Sequence, residues 1–435
     1  MRVRAPRHRL KVFAAVAMTG ALALAGCGAN EDDGSDDDKS EVEVFSWWTG
    51  PGEADGLKAM QADFAKKNPG TKFTNAAIAG GSGTQAKAVL ASRLQNNKPP
   101  DSFQGHAGAE LLDYIKAGQI EPLDEFFARN NLYSVYPKQL LDQITYKEHI
   151  YSVPVNIHRS NVLWYNPGIL EDAGIDGPPQ SIADFITALK AVDDKTDKVP
   201  LSLGAQWTAD HLLENVLLGS LGTDAYNALW EPGAVWDTPA VTKALHEFGQ
   251  IMRYTTLEAA STDWQGAAKA VVDGKAAFNI MGDWAYGYFV GEAPNGLGKK
   301  LDTDFKYAPS PGTEGTYMWL SDSFTLPKNA PHRGGAIAWL KEVSSKEGQD
   351  LFNPKKGSIP ARTDGDKSLY TGYLKYALER WTSPDIKLAG SFWHGVTANN
   401  KWHTDIDTAV GLFLQNKDVG KLQQGLVNAA KNSGQ

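Results

Sequence analysis

Between Val42 and Gln104 the chain alternates strand-like and helix-like stretches, and that alternation narrows the folds open to it. Val42 and Val44 alternate with Glu41 and Glu43 and lead into Phe45, the period-two pattern of a strand. Leu57, Met60 and Phe64 then recur at helical spacing as far as Asn68-Pro69-Gly70, a helix stop. Thr71 to Ala77 reads as a second strand, Gln85 to Gln95 as a second helix and Ser102 to Gln104 as a third extended run. Strand, helix, strand, helix, strand is the signature of a parallel sheet covered by helices, the α/β class. In open sheets of this class ligands bind beyond the carboxyl ends of the strands. Trp47 and Trp48 stand at such an end, before the break Thr49-Gly50-Pro51-Gly52. Tandem aromatics there suit a ligand with a flat face; the plainer alternative puts one indole in the core and the other on the surface.

The chain has 435 residues, enough for two or three domains. Its net charge of −8 argues against nucleic acid as a partner, because phosphate recognition needs a basic face. Thirteen tryptophans and fifteen tyrosines fit carbohydrate stacking and ordinary packing equally. A single cysteine, Cys27, excludes a disulfide or a cysteine-based metal site within the chain.

Arg2, Arg4, Arg7, Arg9 and Lys11 precede an apolar run from Val12 to Ala25 that is too short to span a bilayer and has the flanks of a signal peptide. It ends in Leu24-Ala25-Gly26-Cys27, which resembles the bacterial lipoprotein box, whose cysteine is lipidated and becomes the new N-terminus. Acyl chains on Cys27 give firm membrane attachment. We therefore expect a signal peptide over 1–26 and an acidic flexible tether over 27–40.

Further along, Ala79-Gly80-Gly81-Ser82-Gly83 forms a glycine loop between strand and helix. Gly81, Gly83 and Ala86 fit the loosest dinucleotide pattern, but no acid stands at the end of the next strand, so a turn near a ligand cleft is the preferred reading. His106 falls at a strand end, with Glu110 at the start of the following helix. Two apolar runs, Tyr151 to Pro154 and Val162 to Tyr165, enclose Asn156, His158, Arg159 and Asn161, as expected of a chain crossing between lobes. Ser181 is a helix cap. Lys275 to Met281 is a buried strand ending at Gly282-Asp283-Trp284, and Lys355 to Arg362 is rich in turn residues.

Several of these motifs agree in order. With the lipoprotein box, they are Ser46-Trp47-Trp48-Thr49, Asn97-Lys98-Pro99-Pro100-Asp101, Val153-Pro154-Val155-Asn156, Trp164-Tyr165-Asn166, Gly274 to Phe278, Gly282-Asp283-Trp284-Ala285 and Gly357 to Arg362. Together they resemble the extracellular solute-binding proteins of ABC sugar importers, the family of maltose-binding protein, and most of all its glucose- and mannose-binding members. The resemblance implies a two-lobe α/β fold of the periplasmic-binding-protein kind, each lobe a mostly parallel sheet flanked by helices, with a ligand cleft between them. It implies lobe 1 over 41–153 plus 305–362 and lobe 2 over 154–304 plus 363–435. It also implies a monomer without catalysis, cofactor or metal, anchored on the extracellular face of the membrane and docking on the importer's permease subunits.

Carried onto this chain, the family's contacts fall on Trp48, Glu53, Gln104, His106, Trp264, Asp322, Lys356 and His394. Glu110, Trp47, Asp283 and Trp284 are further candidates. Within the tandem pair the resemblance favours Trp48 as the stacking partner and leaves Trp47 to the lobe core. The chemistry suits a pyranose: its C–H face packs on an indole, and its hydroxyls donate to Glu53 and Asp322 and accept from Lys356. Three alternatives stay open: a receptor for an oligosaccharide, a receptor for a polyol, and a lipid-anchored glycoside hydrolase using two of the carboxylates.

Overall fold

The computed structural model describes residues 38–257 and 263–434, so Cys27 and the expected signal peptide lie outside the described residues. Its two principal sheets each consist of three parallel strands extended by two more, of which the inner one runs antiparallel to the rest. The first has the order Lys72–Asn75, Glu41–Phe45, Ser102–His106, Asp322–Thr325, Val153–Pro154. The second has the order Thr255–Leu257, Val199–Leu203, Ala276–Ile280, Val162–Tyr165, Lys306–Pro309. Each builds one lobe, and helices cover both.

A smaller sheet lies at the crossing. Asn156–Arg159 and Thr316–Leu320 run antiparallel there, with Arg159 opposite Trp319 and His158 opposite Leu320, flanked by Ile359–Pro360 and Lys387–Gly390. These two strands carry the chain out to the second lobe and back. The return is later than the expected boundary at 305. Lys306–Pro309 pairs along its whole length with Val162–Tyr165, so it stays in the second sheet, and the chain rejoins the first sheet only at Asp322. The outward boundary moves by one residue, because Pro154 still pairs with Ser323.

Local signals explain several element ends. Ser181 accepts from the Asp184 amide and caps helix Ile182–Lys195 as expected. Helix Lys346–Lys356 runs through Pro354 into the segment read as turns, and stops at Gly357, whose φ of 86° is left-handed. No helix among the described residues is long and apolar enough to cross a membrane.

Arg159 fixes the crossing. It is 1% exposed, and its guanidinium donates to Asn161 Oδ1 at 3.0 Å, the Tyr376 hydroxyl at 3.1 Å and the Thr316 carbonyl at 3.0 Å. The Tyr317 and Tyr376 rings lie 5.3 and 5.6 Å from its guanidinium carbon. Replacing it with an apolar residue removes charge-assisted bonds and strands their acceptors. Arg159→Met should lower unfolding stability by about 3 kcal/mol in urea titrations.

Candidate functional site

The side-chain period of a strand decides what the two tryptophans do. Val42, Val44 and Trp48 share one face, and Phe45 and Trp47 the other. At Trp48 the first face meets helix Lys346–Lys356. Trp48 is 1% exposed there, with its ring centroid 4.4 Å from Phe352 and 5.2 Å from Phe324. The second face looks toward helix Thr84–Gln95, where the Lys87 ammonium lies 5.4 Å from the Trp47 ring. The Trp47 ring also meets His106 at 5.0 Å. Gly83 carries no side chain for a physical reason: its φ is +90°, and a Cβ would come within 2.8 Å of that indole.

Trp47 therefore walls a cleft, and Trp48 is core, which reverses the roles expected from sequence. The cleft encloses about 500 Å³ of unfilled space, counting its open mouth. Trp47, Trp207, Trp264 and Trp284 line it, with Glu53, His106, His158, Asp263, Asp322, Lys356 and His394 as its ionisable groups. The first lobe supplies Trp47 and Glu53, the second Trp207 and Trp264, and the crossing strand His158.

Each polar group is held from behind. Lys356 Nζ bonds Glu53 Oε1 at 2.7 Å, and Glu53 Oε2 accepts the Gly50 amide at 3.1 Å. Asp322 accepts from Gln104 Nε2 at 2.9 Å and Asn156 Nδ2 at 2.8 Å, with His106 Nε2 at 3.8 Å and His158 Nε2 at 3.6 Å. Burial opposes its ionisation, but the His158 contact and the Lys356 charge outweigh it and hold its carboxyl well below the usual range. Glu110 accepts a hydrogen bond from His106 Nδ1 at 2.7 Å and pairs with the Lys87 ammonium at 2.8 Å. Burial works against that carboxylate too, and Lys87 and His106 overcome it. A Cβ on Gly395, whose φ is +67°, would meet Glu110 at 2.6 Å.

Asp283 accepts from His158 Nδ1 and from the Arg159 amide. Burial pulls Asp283 toward its neutral form, yet both neighbours donate to it, so we assign an ion pair. Burial likewise opposes charge on His158, and the Asp283 carboxylate raises its pKa in spite of that. His394 is the contrary case. Burial and the neighbouring His106, His211 and Lys87 hold its pKa well below the ordinary histidine value. Its Nδ1 donates to Ser391 Oγ at 2.9 Å, and that hydroxyl donates to Glu214. Nε2 is left as a buried acceptor without a hydrogen-bond partner among the described residues.

His211, Glu214 and His394 bring potential metal-ligating atoms within 4.8 Å of one another. Glu214 already accepts from Ser391 Oγ at 2.8 Å and from the Trp393 amide at 3.2 Å. Protein donors thus meet its charge, and we read the group as the anchor of the loop carrying His394.

A lobed α/β protein with an interlobe cleft lined by indoles and carboxylates has known counterparts. The family model for bacterial extracellular solute-binding proteins matches residues 50–350. The chain belongs to this family. It is similar to an uncharacterized ABC transporter extracellular-binding protein of Pyrococcus horikoshii, 34% identical over 90% of this chain and 87% of the relative. It is 31% identical to the xylose/arabinose-binding protein XacG of Haloferax volcanii, over 86% of this chain and 80% of that one. Among solved structures a chitin oligosaccharide binding protein superposes with a TM-score of 0.77 at 18% identity, over 90% of this chain and 98% of that chain.

Of the residues carried over from the solute-binding resemblance, the cleft brings together Trp47, Glu53, His106, Trp264, Trp284, Asp322, Lys356 and His394. Trp48, Gln104, Glu110 and Asp283 stand outside its lining. Trp48 is on the opposite strand face; the other three are buried supports for Asp322, His106 and His158. Sequence reasoning missed Asp263, Trp207, Gln265 and His158 as lining residues. Asp263 carried a legible signal, a capping residue just before a helix that starts at Trp264. Trp207 carried none.

The pKa of His394 sets an acid dependence. An unfolded histidine takes up its proton near pH 6.5, and buried His394 only at much lower pH. The unfolded state thus binds the extra proton below about pH 6.5, and stability falls on that side. Denaturant titrations between pH 6 and 5 should show about 1.4 kcal/mol per pH unit from this group, absent in His394→Gln. Asp322 and Glu110, with depressed pKa values, keep their stabilisation above about pH 4 and lose it below, giving a separate limb in both proteins.

Proposed function

We propose that this chain is the sugar receptor of an ABC importer and that its ligand is a monosaccharide of the glucose or mannose type. One observation carries the reading: indoles from both lobes face the same cleft as the Glu53–Lys356 pair, Asp322 and His394. A pyranose has apolar C–H faces for the indoles and hydroxyls that both donate and accept. Asp322 and Glu53 accept such hydroxyls, Lys356 donates, and His394 Nε2 accepts. The preset partners behind each group fix its orientation, so an epimer with a displaced hydroxyl leaves a buried group unpaired.

Two further points support a short ligand and binding without turnover. The lobes bond directly through the Gly81 amide to Asp263, Asn295 to Asp55 and the Glu110 amide to the Gly395 carbonyl, which limits the length of a chain the cleft can hold. A glycosidase needs a general acid of raised pKa, whereas Asp322 is held ionised. The pentose-binding name of the Haloferax relative is in keeping with a small sugar. Cys27, at the end of the expected signal peptide, is assigned as the lipid anchor that keeps the receptor beside its permease.

Thermal-shift and calorimetric panels with glucose, mannose, galactose, xylose, maltose and glycerol phosphate test the reading. Stabilisation by a monosaccharide is expected; a response to disaccharides alone overturns the ligand assignment, and hydrolysis of a glycoside overturns the receptor assignment. The two tryptophans should separate. Trp47→Ala should weaken sugar binding at least about tenfold, equivalent to about 1.4 kcal/mol. Trp48→Ala should mainly cost stability, about 3–5 kcal/mol for an aromatic deleted from a core. Cys27→Ser should move the protein from the membrane pellet to the soluble fraction.

A further inference from the structure

We infer that Asp263 is a latch between the lobes, one carboxylate that positions the cleft tryptophans with one oxygen and holds the cleft shut with the other. Oδ1 serves its own lobe. It accepts the Trp264 amide at 2.8 Å, capping helix Trp264–Val272, and the Trp207 indole N–H at 2.5 Å. Both indoles line the cleft. Oδ2 serves the other lobe, accepting the Gly81 amide at 3.2 Å.

Both sides of the contact are built to stay in place. On the first lobe, Gly80, Gly81, Ser82 and Gly83 all have positive φ, at 102°, 64°, 51° and 90°. This left-handed run needs its glycines, and Gly83 seats it against the Trp47 ring. On the second lobe, the Asp263 backbone bears on Gly204, where a Cβ would come within 2.9 Å of the Asp263 carbonyl oxygen. The latch therefore joins a loop resting on one cleft indole to a carboxylate fixing two others. It is made of protein atoms alone, so it favours closure without a ligand and slows ligand escape after closure. Its effect on sugar release rests on the receptor reading above; its effect on lobe closure does not.

Asp263→Asn separates the two roles. An asparagine keeps one acceptor for Trp264 and Trp207 and turns an NH₂ toward the Gly81 N–H, two donors facing each other. Asp263→Ser is the second variant: its hydroxyl still caps the helix but is too short to reach Gly81. Small-angle scattering of the sugar-free protein should give a larger radius of gyration for both variants than for the wild type. Stopped-flow measurements with glucose should show release faster by about tenfold, the loss of one charge-assisted bond, with association within about twofold. Near-ultraviolet circular dichroism of Asp263→Asn should keep the wild-type tryptophan signal. An unchanged radius of gyration in both variants overturns the latch. A larger radius with unchanged glucose release overturns its part in retention. If the wild type binds no sugar, the receptor reading fails, and the scattering comparison still decides the latch.

Discussion

Asp322 is the group on which the cleft depends. It stands where the returning strand Thr316–Leu320 gives way to Asp322–Thr325, at the join between the crossing and the first sheet. Gln104 comes to it from the antiparallel neighbour Ser102–His106 and Asn156 from the outgoing crossing strand. His158 and His106 face it with their Nε2 atoms. A buried carboxylate without such partners would take up a proton. Surrounded by them it stays charged, and the same contacts that keep it charged fix the relative position of three chain segments far apart in sequence.

The surrounding groups repeat this arrangement. Glu110 orients His106, Asp283 orients His158, Glu53 pairs with Lys356, and Ser391 orients His394. Three cleft histidines are thus held by buried groups behind them, and Glu53 and Lys356 hold each other within the lining. A ligand thus meets groups whose directions are already set, and less ordering cost falls on the binding step. The carboxylates outside the lining are part of the site in this sense, although they do not face its space.

Glycines allow close approach both within a lobe and between the lobes. Gly83 admits the Trp47 ring, Gly395 admits the Glu110 carboxylate, and Gly287 brings helix Trp284–Val290 onto the end of helix Lys346–Lys356, where a Cβ would meet the Lys355 carbonyl at 2.6 Å. Those contacts need backbone without side chains, because any Cβ would have to displace a ring, a carboxylate or the main chain.

The sequence by itself determined the class of fold, the crossing between lobes, and most of the residue types in the cleft. Period-two and helical spacing are local, so the alternation from Val42 to Gln104 and the polar run between Pro154 and Val162 could be read directly. Three things were decided only by tertiary structure. Which indole of the pair faces the cleft depends on which helix layer covers each strand face, and that is set by long-range packing of Phe352 against Trp48 and Gly83 against Trp47. The assignment of Lys306–Pro309 to the second sheet depends on a partner strand about 140 residues earlier, and sequence spacing carries no register across such a distance. The separation of lining groups from supporting groups, His106 from Glu110 and Asp322 from Gln104, depends on angstrom-scale hydrogen-bond geometry that residue type does not encode.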